Sequence, residues 1–185
     1  MLNQKQNLCF IDVETTGVIF GHHELIEIGA IKTTHDGKIL EKWEKKILPK
    51  FPERIEKEAQ KINGFSIKKW NGAKIADKNL WNDFASFAEG CVPICHNPSF
   101  DRAFITISAN EHGIFDLGLD YRWFGTESLA LPFFVSGKFK SVSLRKICIA
   151  LDIPPEDDVH RAINGADACR KVYFKLIKML EEMLV

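Results

Sequence analysis

The stretch that decides the fold of this chain reads Leu8-Cys9-Phe10-Ile11-Asp12-Val13-Glu14-Thr15-Thr16-Gly17. Its apolar first half predicts a buried strand, and its polar end predicts a turn. Side chains alternate across a strand, so Asp12 and Glu14 leave the backbone on one face and Val13 on the other. The two anions repel each other unless a cation lies between them or one of them is protonated. The pair therefore predicts a hard-metal site first, an acid–base pair second and a chance surface pair third.

The length and composition of the chain are those of one globular domain. With 185 residues, of which 45% are hydrophobic and 11% aromatic, it can bury roughly 70% of the surface that its unfolded form exposes. We therefore expect a single domain over residues 1–185. No segment approaches the ~20 apolar residues of a membrane span, and no signal-peptide pattern precedes the first strand, so we expect a cytoplasmic protein without a membrane partner.

The charge and the cysteine content of the chain limit the kinds of binding partner and of site that it can have. Lys and Arg together number 25, as do Asp and Glu, so no global positive field exists and any nucleic-acid contact must be local. The five cysteines are an odd number, and several lie in apolar runs, which favours reduced core thiols over disulfides. Cys91, Cys95 and His96 resemble part of a zinc site but have no evident fourth ligand.

Hydrophobic periodicity divides the chain into strands and helices. The first half predicts an antiparallel meander, and the second half alternates strand and helix, which implies parallel crossovers. After the opening strand, the predicted strands cover residues 25–31, 39–48, 92–96 and 122–126. The predicted helices lie near residues 55–63, 80–90, 100–112, 127–135, 143–151 and 169–183. This order is typical of an α/β fold with a mixed central sheet flanked by helices.

A further acid lies where a predicted strand runs into a helix, in the segment His96-Asn97-Pro98-Ser99-Phe100-Asp101. An acid in the first turn of a helix complements the helix dipole by ~0.3–1 kcal/mol, which is the simplest account of Asp101. Phe100 and Phe104 can also pack this helix on the sheet, so that Asp101 projects toward the end of the first strand. In that case Asp101 joins the two acids already placed there.

A polar loop over residues 157–168 is predicted to lead into the last helix, and it contains His160 and Asp167. A single histidine is more often structural than catalytic. Together with the three acids above, however, this loop completes the groups that two-metal phosphodiester hydrolysis requires. Carboxylates hold two divalent ions about 4 Å apart, and a neutral histidine takes a proton from the attacking water.

Three motifs, in this order, resemble the DEDDh family of 3′–5′ exonucleases, a DnaQ-like family that includes bacterial polymerase proofreading subunits, oligoribonuclease and ribonuclease T. The motifs are residues 10–17 with 26–30, residues 96–101, and His160-Arg161-Ala162 leading to Asp167. Residues 62–64 and 143–147 also resemble family segments, so the similarity covers nearly the whole chain. The resemblance implies a ribonuclease H-like fold of three layers.

The resemblance also implies a function. The chain would hydrolyse phosphodiester bonds at free 3′ ends of DNA or RNA and release nucleoside 5′-monophosphates, with two Mg²⁺ or Mn²⁺ ions per site. Single-stranded or short 3′ ends are the expected substrates, and a polymerase or a second copy of the chain is a candidate partner. The implied metal ligands are Asp12, Glu14, Asp101 and Asp167, the implied general base is His160, and the implied substrate contacts are Thr15, Thr16 and Asn97.

The spacing of the last motif departs from the family pattern. In the family the histidine precedes the last aspartate by five positions, but position 165 is glycine here and the acid follows at 167. On one continuous helix, His160 and Asp167 would lie about 10.5 Å apart along the axis. Because Asn164 and Gly165 favour turns, we predict a two-residue loop insertion that returns His160 to the site. The alternative is a nucleic-acid-binding or polymerase-associated scaffold with weak or lost catalysis.

Overall fold

The computed structural model describes residues 5–156 and 158–184 of the protein. Its strands are β1 (Leu8–Thr15), β2 (Leu25–Thr33), β3 (Ile39–Lys46), β4 (Val92–Cys95) and β5 (Phe124–Gly125). They form one sheet in the order β3-β2-β1-β4-β5. The pairs β1–β2 and β2–β3 are antiparallel, whereas β1–β4 and β4–β5 are parallel. The predicted mixed sheet is confirmed, and the strand that carries the first two acids lies at its centre.

Six α-helices and one 3₁₀ turn, Pro52–Arg54, connect and cover these strands in the described part of the chain. The helices are α1 (Lys57–Asn63), α2 (Lys78–Ala88), α3 (Pro98–Glu111), α4 (Thr126–Val135), α5 (Leu144–Ala150) and α6 (Ala162–Leu184). Asp77 caps α2 by accepting a hydrogen bond from the Leu80 N–H. None of the helices within the described ranges is long and apolar enough to cross a bilayer.

The sheet is the middle of three layers. On one face, Phe10 of β1 packs against Tyr173 and Phe174 of α6. On the other face, Ile11 and Val13 join a core with residues of α2 and α3. The helices α4 and α5 pack against α6 around a smaller apolar cluster. Alternate side chains of β1 therefore face different layers, and the α6 face is the one that receives Asp12 and Glu14.

Strand β5 is shorter than the predicted strand over residues 122–126. The backbone N–H of Arg122 donates a 2.9 Å hydrogen bond to Asp120, and its guanidinium donates two of 2.8 Å to the same carboxylate. These bonds close a tight turn over residues 120–122. The chain therefore reaches the sheet only at Phe124.

The last helix begins seven residues earlier than predicted, at Ala162 instead of residue 169. Asn164 and Gly165 lie inside it, and both their N–H groups donate to the Arg161 carbonyl, so the predicted turn and loop insertion are wrong. A Cβ at Gly29 would overlap the backbone of Ile163. Close packing of α6 on β2 thus overrides the turn preference of the Asn-Gly pair. The predicted polar loop also included Asp157, which lies outside the described residues.

The five cysteines are all buried and form no disulfide, as predicted. Cys9 lies in the core between the sheet and α2 and α3. Burial raises the pKa of the Cys9, Cys95 and Cys169 thiols, so these groups stay neutral. They behave as small apolar residues of the core.

Two fully buried tryptophans differ in how their indole N–H groups are satisfied. Nε1 of Trp70 donates a 2.8 Å hydrogen bond to the Ile26 carbonyl. Nε1 of Trp81 has no acceptor among the described residues. An unpaired buried donor costs about 1–3 kcal/mol, so the two rings form a natural pair for comparison.

Replacing each tryptophan with phenylalanine should separate these environments. Trp70→Phe removes a hydrogen bond, whereas Trp81→Phe removes a donor that has no acceptor, and both substitutions leave cavities of similar size. We expect Trp70→Phe to lower the free energy of unfolding by about 1–3 kcal/mol more than Trp81→Phe does. Urea unfolding followed by circular dichroism measures both variants. Equal losses would show that the bond to Ile26 adds no net stability.

Candidate active site

A cleft of about 370 Å³ lies at the carboxyl end of β1. Its walls come from β1, the start of α3, the helix α5 and the segment that precedes α6. The lining residues are Asp12, Val13, Glu14, His96, Asn97, Phe100, Asp101, Leu144, Arg145, Cys148, Glu156, His160 and Ala168. The cleft therefore brings together three of the four predicted acids and the predicted histidine.

Three acids reach the cleft from two regular elements. Asp12 and Glu14 leave β1 on the same face, as strand alternation predicted. Asp101 lies in the first turn of α3, where it is buried. Polar groups of Val13 and Cys95 beside its carboxylate favour the ionised form and so oppose the rise in its pKa that burial causes.

Burial and mutual repulsion make these carboxyls hard to ionise. Burial raises the pKa of Asp12 well above its ordinary value, and the charges of Asp101 and Glu14 raise it further. Burial also raises the pKa of Asp101 to about 7, against the opposing effect of its hydrogen bonds. Burial and the charge of Glu27 raise the pKa of Glu14 to about 8. A bound cation would favour the ionised form of all three groups.

Glu27 links the cleft to the start of α6. It lies opposite Glu14 in the antiparallel pairing of β1 and β2, and it is buried. One carboxylate oxygen accepts a 3.2 Å hydrogen bond from the Ala162 N–H, and the other lies 3.7 Å from the Arg161 guanidinium. Burial raises the pKa of Glu27, while Arg161 opposes that rise. Glu27 thus anchors the first residue of α6 instead of adding another free charge to the cleft.

His160 lies at the edge of the cleft, with its side chain 38% exposed. Its backbone N–H donates a 2.9 Å hydrogen bond to the Ile62 carbonyl at the end of α1. The Arg161 guanidinium donates to the carbonyls of Asn63 and His160, at 2.7 and 2.9 Å. These bonds hold His160 at the mouth of the cleft, so the predicted loop insertion is not needed to place it there.

Asp167, which was predicted to join these acids, is not among the residues that line this cleft. It lines an adjoining cleft together with Pro154, Pro155 and Glu156. Its carboxylate forms ion pairs with Arg170 and Lys171, at 2.8 and 2.7 Å. Partial burial raises the pKa of Asp167, but the bonds to Lys171 and Arg170 outweigh burial and hold the pKa below its ordinary value. Asp167 is therefore a partly exposed carboxylate that is ionised and paired with two basic side chains.

The three predicted substrate contacts lie beside the cleft but differ in exposure. Asn97 lines it directly. Thr15 and Thr16 are buried. The Thr15 hydroxyl donates to the Gly17 carbonyl, and the Thr16 hydroxyl accepts from the Glu24 N–H. Both threonines therefore shape the turn after β1.

The cleft is also lined by His96 and Glu156, which were not among the site residues predicted for phosphodiester hydrolysis. His96 lies at the end of β4, with Nδ1 2.9 Å from the Thr126 hydroxyl, and burial lowers its pKa. Its position at the head of the His96–Asp101 motif was the signal that could have identified it. Glu156 follows two prolines in an irregular segment, where no periodicity or motif marks it. Only the fold brings Glu156 to the acids of β1.

The donor set of the cleft fits a hard divalent cation, because oxygen ligands from carboxylates are those that Mg²⁺ and Mn²⁺ prefer. Within residues 5–156 and 158–184, however, no three Asp, Glu, His or Cys side chains stand close enough together to hold an ion as they are. Asp12, Glu14 and Asp101 would have to draw together around one. Neutralising their mutual repulsion supplies the driving force for that movement.

Solved structures share this fold. The zinc-bound E. coli ExoI–ssDNA complex superposes with a TM-score of 0.79, at 14% identity, over 96% of this chain and 41% of its own. Cell-death related nuclease 4 (CRN-4) gives a TM-score of 0.74, at 15% identity, over 95% of this chain and 65% of its own. The three-layer α/β arrangement is therefore that of ribonuclease H-like exonucleases.

Sequence comparison identifies the family. DNA polymerase III PolC-type of Caldanaerobacter subterraneus subsp. tengcongensis is 28% identical over 93% of this chain, and that of Thermotoga petrophila is 27% identical over 96%. The chain spans only 12% of the length of either relative. The profile of the RNase T family, described as Exonuclease, matches residues 9–173. The chain therefore belongs to the exonuclease family, in the DnaQ-like class of 3′–5′ exonucleases.

Proposed function

We propose that the cleft removes nucleotides one at a time from free 3′ ends of DNA or RNA, with Mg²⁺ or Mn²⁺ as the cofactor, and releases nucleoside 5′-monophosphates. The observation that carries this proposal is the convergence of Asp12, Glu14 and Asp101 in one cleft with His160 at its edge. Each of these carboxyls is disfavoured in its ionised form, and a bound divalent cation would stabilise all the ionised forms at once. Two such ions per site are part of the proposal.

Asp12, Glu14 and Asp101 are the side chains that would hold the divalent ions, which would supply positive charge at the scissile phosphate and make an attacking water more acidic. His160 accepts the proton of that water at an imidazole nitrogen. The water oxygen bonds to phosphorus, and the bond from phosphorus to the 3′ oxygen of the preceding nucleotide breaks. That oxygen takes up a proton from solvent and becomes the new 3′ hydroxyl.

The surface around the cleft suits a single-stranded end. Phe100 lines the cleft, and Phe20 lies beside it with ring centroids 6.1 Å apart. Phe20 is 49% exposed, and so presents a face on which a base can stack. Arg145 supplies a positive charge at the opposite wall. Thr15, Thr16 and Asn97 remain proposed contacts of the terminal nucleotide.

The similarity to PolC-type polymerases suggests a polymerase as one partner, whereas a second copy of the chain is another candidate. A free-standing exonuclease needs neither. Gel filtration of the chain, alone and mixed with a replicative polymerase subunit, separates these three arrangements.

A nucleic-acid-binding scaffold with weak or lost catalysis is the second candidate function. It is favoured by Gly165, which stands where the family pattern has the last aspartate, and by the position of Asp167 outside the cleft. Such a protein would bind a single-stranded oligonucleotide in a gel-shift assay without shortening it in the presence of Mn²⁺. Release of 5′-mononucleotides from the same oligonucleotide would exclude it.

Replacing one acid inside the cleft and one outside it tests the assignment. Asp12→Asn should lower the rate of shortening of an end-labelled oligonucleotide by more than about 100-fold, since even partners outside a metal's ligand set typically contribute 10–100-fold. Asp167→Asn is the matched control and should leave the rate within about 2-fold of the wild type, because Asp167 pairs with Arg170 and Lys171 elsewhere. An Asp167→Asn loss as large as that of Asp12→Asn would contradict the site described here.

A closed circular single strand completes this experiment, because it has no 3′ end. The wild type should leave it intact while shortening the linear form of the same sequence. Nicking of the circle would assign the cleft to an endonuclease.

Binding of Mn²⁺ should strengthen as the pH rises from 6 to 8. The pKa of Asp101 is raised to about 7 and that of Glu14 to about 8, so at pH 6 both groups hold protons that the cation must displace. At pH 8 Asp101 has lost most of its protons and Glu14 about half of them before binding. Isothermal titration calorimetry at the two pH values measures the change. Glu14→Gln is the control, because it removes one titrating group and should flatten the rise; an equal affinity at both pH values would count against a carboxylate metal site.

A further inference from the structure

The first turn of α6 touches the acids of the cleft without adding a side chain to them. Gly165 comes five residues after His160, and a Cβ at this position would overlap Oδ2 of Asp12. Any larger residue at 165 would therefore displace Asp12, which is held in the central strand. The family pattern has an acid at this position of the helix, whereas here Gly165 presents only its backbone to Asp12.

Asp167 cannot take over from position 165. A helix turns by about 100° per residue, so two residues carry the side chain roughly 200° around the axis. The structure agrees, because Asp167 pairs with Arg170 and Lys171 in the neighbouring cleft. Without a further group, the cleft has only Asp12, Glu14 and Asp101 as carboxylates from regular elements.

Glu156 reaches the same cleft from the segment between α5 and α6. Its side chain is only 14% exposed, and one carboxylate oxygen lies 3.8 Å from Nδ1 of His160. Its charge acts on both Asp12 and Glu14, whose pKa values it raises. Its backbone is held as well, because Arg145 donates a 3.3 Å hydrogen bond to the Glu156 carbonyl. A carboxylate is thus kept in the cleft that holds Asp12 and Glu14, near enough for its charge to act on both.

The geometry points to Glu156 as the fourth carboxylate ligand of the divalent-ion centre, supplied by the segment before α6 in place of an acid on the helix. This inference rests on the proposed function of the cleft. Two divalent ions carry four positive charges, whereas Asp12, Glu14 and Asp101 carry three negative ones when ionised. Glu156 would balance the fourth charge, and a glutamate carries its carboxylate one methylene farther from the backbone than an aspartate does.

The test is Mn²⁺ binding by the full chain, measured by the electron paramagnetic resonance signal of free Mn²⁺ without any substrate. Glu156→Gln keeps the size of the side chain and removes its charge. We expect it to weaken Mn²⁺ binding by about 10–100-fold or to lower the stoichiometry from two ions to one. Asp167→Asn is the matched control, with a carboxylate in the neighbouring cleft, and should bind Mn²⁺ as the wild type does.

Wild-type affinity and stoichiometry in Glu156→Gln would overturn the inference and leave Glu156 at most a residue that orients His160. Asp12→Asn separates this failure from failure of the proposed function. If Asp12→Asn loses Mn²⁺ while Glu156→Gln keeps it, only the role of Glu156 is refuted. If neither substitution changes Mn²⁺ binding, the metal centre itself is refuted.

A second variant guards against a folding defect in Glu156→Gln. Glu156→Asp keeps the charge and shortens its reach, so we expect Mn²⁺ binding between that of Glu156→Gln and that of the wild type. Circular dichroism shows whether each variant retains the helical content of the wild type. Binding by Glu156→Asp as weak as that of Glu156→Gln still supports a ligand whose reach matters, whereas binding as tight as the wild type in both variants refutes it.

Discussion

Repulsion among closely placed carboxylates at the end of the central strand is the constraint on which the rest of the structure depends. Asp12, Glu14 and Asp101 share one cleft, and burial raises the pKa of each. They cannot move apart, because Ile11 and Val13 of the same strand are packed in the core behind them. Asp101 is likewise buried, in the first turn of α3. The fold therefore holds these carboxylates in an unfavourable arrangement, and protonation or a bound cation lowers its electrostatic energy.

The close approach of α6 to the sheet explains why glycine stands at two positions where they meet. Gly29 makes room for the backbone of Ile163, and Gly165 makes room for the carboxylate of Asp12. A glycine inside a helix costs about 1 kcal/mol relative to alanine, so its presence at 165 calls for a contact that excludes a side chain. Because α6 approaches the sheet so closely, its first turn reaches the cleft, but position 165 has no room for a side chain that could bind a metal ion.

What the sequence could predict depended on periodicity and on strand alternation. The opening strand, its two acids on one face, the mixed sheet and the position of Asp101 in the first turn of α3 all followed from local patterns. The start of α6 did not, because Asn164 and Gly165 favour a turn, and the packing of Ala162 and Ile163 on Gly29 that opposes this preference is not visible in a local pattern. An error in the predicted start of α6 also changes the direction in which the Asp167 side chain is expected to point. Glu156 lies in a segment without periodicity, so no local signal connected it with the strand.

The charged side chains of the cleft come partly from regular secondary structure and partly from an irregular segment of the chain. Asp12, Glu14 and Asp101 stand on a central strand and a helix, where backbone hydrogen bonds fix their positions. Glu156 and His160 come from the segment before α6, which no regular structure supports. Its ends are nevertheless tied down, because Arg145 binds the Glu156 carbonyl and the Ile62 carbonyl accepts the His160 N–H. These two bonds set where Glu156 and His160 enter the cleft, whereas a side chain on the first turn of α6 would be placed by the helix itself. Because Gly165 adds no side chain to the cleft, the polar groups that this end of the chain contributes are those of the irregular segment before α6.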